Sequence, residues 1–216
     1  MFNNSGNALE KAIEATKTVP TLYEFIQDNC FCAGGAVRDI VRGNTPKDYD
    51  LFFKTEESKD YFLANFSKRF VQTSIGNFNF KDIQFITIYT GSPDSIINRF
   101  DWNVNQTYYD FKTKEMDRRF NRGTDLILNL DAEKLLSAMI RLPYLLSKGF
   151  TISQDQFLFC LSYLSSRVNL KSVEDVLGQH EWMSSGGGLG ADKSTWAITN
   201  ANNEAKKRTG LYKALK

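Results

Sequence analysis

A chain of 216 residues, 42% hydrophobic and 24% charged, can bury one sizeable core and is neither wholly disordered nor collagen-like. Lys+Arg 27 against Asp+Glu 25 leaves a net charge of only +2, so whole-chain charge does not mark a nucleic-acid binder and any basic surface is local. The three cysteines include Cys30 and Cys32, two apart in an apolar run, and the single histidine is His180. That count reads as buried thiols, argues against a Cys/His zinc site and leaves one candidate for a histidine triad. The first ten residues are polar and no window approaches about 18 apolar residues, so the expectation is a soluble, cytoplasmic protein without membrane attachment.

In chain order, residues 8–28 read as helix broken at Val19-Pro20, because the residue before proline avoids helical backbone. Residues 29–33 form a short apolar strand that runs into Gly34-Gly35, and 37–42 have helical spacing closed by Gly43-Asn44. Residues 49–53 are strand-like. Residues 56–66 make an amphipathic helix with Tyr61, Phe62 and Phe66 toward a core. Further strands are expected at 70–73, 77–80 and 83–89, and a short helix near Ser92-Pro93. Phe31, Phe52, Phe53 and Phe85 are expected in the core.

Beyond residue 124 the pattern turns helical, over 131–148 with Pro143 as a kink, over 153–168, over 171–177 and over 194–215. The expected plan is an α/β head at 1–124 followed by an all-helical lobe at 125–216 that ends in a basic helix.

The stretch that carries chemistry is Phe31 to Phe53, FCAGGAVRDIVRGNTPKDYDLFF. Gly34-Gly35 lets backbone amides come close to a ligand, and the following helix points its N-terminus back at the turn. With Arg38 able to donate to phosphate oxygens, these residues make a phosphate cradle. Asp48 and Asp50 flank Tyr49, and a spacing of two on a strand puts both carboxylates on one face. Two magnesium ions held by such a pair would activate an attacking hydroxyl and neutralise a leaving pyrophosphate.

GGAVRD followed by KDYD resembles the head-domain signature of tRNA CCA-adding enzymes and bacterial poly(A) polymerases, in the polymerase-β-like nucleotidyltransferase superfamily. RFDWNVNQTYYD at 99–110 is similar to that family's R-R-D-F-T-I-N-A-L-A-Y-D element, and 131–152 is loosely similar to its nucleotide-reading helix. The resemblance covers residues 29–112 closely and extends loosely to 168.

It implies an α+β fold, a polymerase-β-like nucleotidyltransferase head with a mixed sheet and helices, followed by a small helical lobe. It also implies roles: Gly34, Gly35 and Arg38 at the triphosphate, Asp48 and Asp50 as catalytic metal ligands, Arg99 at the nucleotide. Asp101 and Asn105 would shape the ribose pocket, and Arg141 would read the base. The implied cofactor is Mg²⁺, as two ions with Mn²⁺ a substitute. The implied partners are an NTP (ATP or CTP) and an RNA whose 3′ hydroxyl accepts the nucleotide, the tRNA 3′ end leading.

The departures are specific. Gln84 stands where the family carries a third carboxylate, Tyr89 and Phe100 where it has arginines, and Leu130 and Lys134 where its helix has Glu and Arg. Asp82 is expected to face away from Gln84. Two other functions stay open at this point: nucleotidylation of a protein or small molecule, and a catalytically silent nucleotide-binding protein. Oligomeric state is left open too. His180 reads as a surface residue and 186–190 as a flexible linker. The lysines and arginine of 206–216 read equally as a solvated face or an RNA-backbone patch.

Overall fold

The computed structural model describes residues 2–74, 76–117, 123–129 and 135–167. The chain divides between Gly123 and Thr124 into two compact units.

The first unit opens with α1 (Phe2–Ile13), a 3₁₀ turn (Glu14–Thr18) and α2 (Leu22–Asn29). Val19 is extended (φ −107°, ψ 116°), as the proline after it requires. Then come β1 (Cys30–Ala33), α3 (Gly35–Val41), β2 (Tyr49–Phe53) and α4 (Glu56–Asn65). A reciprocal cap between Thr55 and Ser58 starts α4. β3 (Val71–Ser74), β4 (Asn77–Phe80) and β5 (Ile83–Thr90) follow as a meander, then α5 (Pro93–Ile97), started by a Ser92 cap with proline in its first turn. β6 (Tyr108–Asp110) and β7 (Glu115–Met116) end the unit's regular structure among the described residues.

The seven strands form one mixed sheet in the order β3-β4-β5-β2-β1-β6-β7. β1 is antiparallel to both β2 and β6, and β2 is parallel to β5. Alternation along each strand sorts the side chains onto two faces. Cys30, Cys32, Leu51, Phe53, Ile83, Phe85 and Tyr109 join Leu9, Ile13, Leu22, Ile26, Val37, Phe62 and Phe66 in the main core, so α1 to α4 cover this face. Phe31, Ala33, Phe52 and Ile86 point the other way, and α5 covers them through Ile96 and Ile97. The four phenylalanines expected in the core are all buried. Tyr61 is the exception in α4: it stays half exposed although its ring stacks on Phe25 at 5.4 Å.

In the second unit, α6 (Leu135–Ser147) runs through Pro143, and α7 (Gln154–Arg167) follows Phe150. A short parallel bridge joins Asp125 to Thr151. Leu126, Leu128, Ala138, Leu142, Leu145, Phe150 and Cys160 are its buried apolar residues. Leu130, Lys134, His180, the 186–190 glycines, the helices expected at 171–177 and 194–215 and the basic terminus lie outside the described residues. No helix among the described residues is long and apolar enough to cross a membrane.

Candidate active site

Strand direction gathers the site. β1 ends at Ala33 where antiparallel β2 begins, so the Gly34-Gly35 turn lies at the same sheet end as Asp48 and Asp50. β5 starts at that end too, because it runs parallel to β2, and its Gln84 is in register with Asp50. β6 also begins there: the Gly34 N–H donates to the Thr107 carbonyl at 2.9 Å, one residue ahead of Tyr108.

Asp50 shares the α5 face with Phe52, and Gln84 shares it with Ile86. The Gln84 amide reaches Asp48, with Nε2 donating to Oδ2 at 3.4 Å. Gln84 therefore lies beside both half-buried carboxylates and gives one of them a hydrogen bond. Asp82 is exposed and precedes β5, and its carbonyl accepts from Tyr49 N–H at 2.8 Å. Lying two residues ahead of Gln84, it has the same parity, and alternation along β5 does not turn it away as expected.

Two glycines, two reasons. Gly34 adopts φ +84°, and a Cβ there would come within 3.1 Å of the Phe100 ring. Conformation and packing both demand glycine, since Phe100 sits over the turn and on Phe52 at 5.8 Å. Gly35 is helical, and its nearest neighbour to a Cβ would be Arg38 Nη2 at 3.5 Å, an ordinary contact. Nothing in the fold forbids a side chain at 35, so glycine there keeps the approach to the turn open.

Arg38 is 3% exposed and faces inward. Its Nε and Nη2 both donate to Asp39 Oδ1 at 2.7 Å, and Nη1 donates to Asn105 Oδ1 at 2.7 Å. Asn105 Nδ2 donates to Asp101 Oδ1 at 3.1 Å, which also accepts from Trp102 N–H. Arg38, Asp101 and Asn105, the three side chains expected at the triphosphate and ribose besides the two glycines, thus form one buried network with Asp39. The tie joins α3 to the 3₁₀ turn Asn103–Asn105. Asp39 has no role in the sequence reading, although its place beside Arg38 on a short helix is a signal for a paired charge.

Arg99 lies on the surface with its guanidinium over the Tyr89 ring, 4.6 Å from the centroid, whereas Gln84 lies at the opposite end of that same strand. Arg141 is exposed on α6 and belongs to the second unit.

Cys32 is buried beside Leu51, and its thiol is pushed well up, by burial first and then by the charges of Asp50 and Asp48. It keeps its proton and faces the main core, so it adds no thiolate to the oxygen donors Asp48, Asp50 and Gln84. No cluster of three or more His, Cys, Asp or Glu residues occurs among the described residues. Two adjacent carboxylates still fit Mg²⁺, which completes its octahedron with water and substrate phosphate and seldom takes an all-protein cage.

Residues 3–125 match the sequence model of the Gabija anti-defense 2 family protein, Gad2. The chain belongs to the Gad2 family. No curated protein matches this Gad2 family member in sequence. Among solved structures it is similar to a Bacillus stearothermophilus CCA-adding enzyme in complex with CTP. There the TM-score is 0.51 at 18% identity, over 73% of this chain and 45% of that one. A tRNA nucleotidyltransferase complexed with a primer tRNA and an incoming ATP analog gives 0.50 at 11%, over 85% and 60%. A tRNA-processing enzyme in an apo form gives 0.51 at 13%, over 85% and 57%. This Gad2 chain therefore spans 45–60% of the length of these enzymes. At these identities the likeness is one of fold. The family resemblance drawn from GGAVRD and KDYD is corrected accordingly: the fold is nucleotidyltransferase-like, and the family is Gad2, not the CCA-adding enzymes.

Proposed function

We propose that this chain is a Mg²⁺-dependent nucleotidyltransferase that moves a nucleoside monophosphate from an NTP to an acceptor hydroxyl and releases pyrophosphate. The observation that carries the reading is the meeting of Gly34-Gly35, Asp48, Asp50 and Gln84 at one sheet end, with Asp50 and Gln84 in register on the α5 face and Asp48 bonded to Gln84. In this proposal Asp48 and Asp50 hold the metal and Gln84 orients Asp48 through its amide. Backbone amides at the start of α3 meet the triphosphate where Gly35 leaves space. Arg38, Asn105 and Asp101 act from behind, as positioning residues that fix the turn. Phe100, which lies over the Gly34 turn, offers an aromatic face suited to a base. Bound Mg²⁺ supplies charge neutralisation at the phosphates and lowers the pKa of the attacking hydroxyl. The rest is positioning.

An RNA 3′ hydroxyl, with the tRNA end leading, is the acceptor favoured by the solved tRNA nucleotidyltransferase bound to a primer tRNA. The family description, Gabija anti-defense, supports a second reading, in which the acceptor is a protein or non-tRNA RNA of the Gabija defence and its nucleotidylation disarms that defence. Pyrophosphate release with each NTP, in the presence of separate RNA and protein pools, tests both. Wild type is expected to release it and Asp48→Asn to fail while melting at the same temperature. Labelling of protein alone would remove the RNA acceptor, and no release under any condition would leave a silent binder.

A further inference from the structure

β5 enters the candidate site through a turn that carries a further carboxylate. Tyr49 pairs with Ile83 and Asp50 with Gln84, and the Tyr49 N–H donates to the Asp82 carbonyl at 2.8 Å. One step back along the same parallel register, Asp82 is the neighbour of Asp48, and neighbouring strands lie about 4.8 Å apart. The sheet end that holds Gly34-Gly35 and the paired aspartates therefore holds Asp82 as well.

The surroundings of Asp82 are those of a ligand and not of a structural acid. It is exposed, and its carboxylate makes no hydrogen bond or ion pair with another described residue. The lysine beside it, Lys81, lies instead over the Phe80 ring at 5.8 Å. Asp48 likewise has no ion pair among the described residues, and its hydrogen bond comes from the neutral Gln84 amide. Two adjacent carboxylates repel each other, and with no cationic side chain bonded to either, a cation from solution is the remaining way to balance them. Gln84 spends an amide N–H on Asp48 and has only a neutral oxygen to offer. Affinity for a divalent cation rises with the number of charged oxygen ligands, and a pair of ions needs more of them than Asp48 and Asp50 supply.

We propose that Asp82 is an additional carboxylate ligand of the metal site, closing on a divalent cation together with Asp48 and Asp50. The inference rests on the nucleotidyltransferase reading and adds a ligand to it. Among the described residues no three acids are gathered within reach of one ion. An exposed aspartate on a turn closes such a gap by rotating about its own side-chain bonds.

The test is Mn²⁺ binding to the full chain without nucleotide, read by electron paramagnetic resonance as loss of the free-ion signal. Wild type is expected to bind and Asp48→Asn to lose binding. Asp82→Asn should weaken binding roughly tenfold, while melting in EDTA stays unchanged because the side chain is exposed. Glu24→Gln removes the same charge from α2, which leads into the far end of β1, and should hold Mn²⁺ affinity within about twofold. Adding Gln84→Glu to Asp82→Asn returns a carboxylate to the next register position and should recover most of the affinity, which a merely structural role for Asp82 would not allow. Asp82→Asn that binds like wild type overturns the proposal, as does equal weakening in Glu24→Gln or no recovery in the double variant. Wild type that binds no Mn²⁺ refutes the metal site as a whole and the proposed function with it, whereas the variant results bear on Asp82 alone.

Discussion

Replacing Arg38 by methionine separates two accounts of the same motif. Were this arginine an exposed phosphate ligand, its loss would change stability by about 0.5 kcal/mol or less. Here the Arg38 and Asp39 side chains are only 4% and 5% exposed, and the guanidinium also holds Asn105 at 2.7 Å. The variant removes the Arg38 half of this buried pair, and breaking a buried pair from one side costs about 3–5 kcal/mol. The lost bond to Asn105 belongs to the same network and does not simply add. Against a net stability of about 5–15 kcal/mol, that is a large fraction. Urea unfolding followed by circular dichroism gives the number. In the double variant Arg38→Met/Asp39→Asn much of the loss should be recovered, because the buried Asp39 charge is removed as well. A loss under about 1 kcal/mol, or additivity in the double variant, would refute a buried structural role for Arg38.

Other predictions bear on the glycines, the glutamine and the thiols. Gly34→Ala is expected to destabilise the first unit by about 1–2 kcal/mol, since φ +84° and the Phe100 ring both oppose a methyl group. Gly35→Ala should leave stability unchanged or raise it while weakening NTP affinity, which paired melting and binding curves would resolve. Gln84→Glu sets a third carboxylate beside Asp48 and Asp50. The Mg²⁺ concentration for half-maximal pyrophosphate release should fall several-fold, and an unchanged value would deny Gln84 any part in the site. Cys30 and Cys32 are buried, and both thiols are held above their ordinary value of 9.0 by burial, Cys32 further by Asp50 and Asp48. The folded protein thus keeps protons that the unfolded chain loses near pH 9, so stability is full below that pH. Above it, stability falls by up to about 1.4 kcal/mol per pH unit for each thiol. Urea titrations from pH 8 to 10.5 should show this slope, flattened in Cys30→Ala/Cys32→Ala.

Much of the site was readable because its signals are local. Glycine pairs mark turns, proline stops helices, and residues two apart on a strand share a face, so Gly34-Gly35, the 49–53 strand and the paired aspartates could be found in the letters. Contacts between distant segments could not. Whether Arg38 faces solvent or Asn105 depends on how α3 docks on the 3₁₀ turn, 67 residues along the chain. Whether Phe100 covers Gly34 depends on where the chain goes after α5.

The amino-acid order by itself determined which residues turn, which alternate and which carry oxygen donors, because backbone sterics and strand periodicity act over a few residues. Tertiary structure decided what each of those groups meets. Antiparallel β1, parallel β5 and the arrival of β6 bring four separate segments to one sheet end. Burial then turned an expected phosphate ligand into a buried brace, because a charge withdrawn from water must find its partner inside the protein.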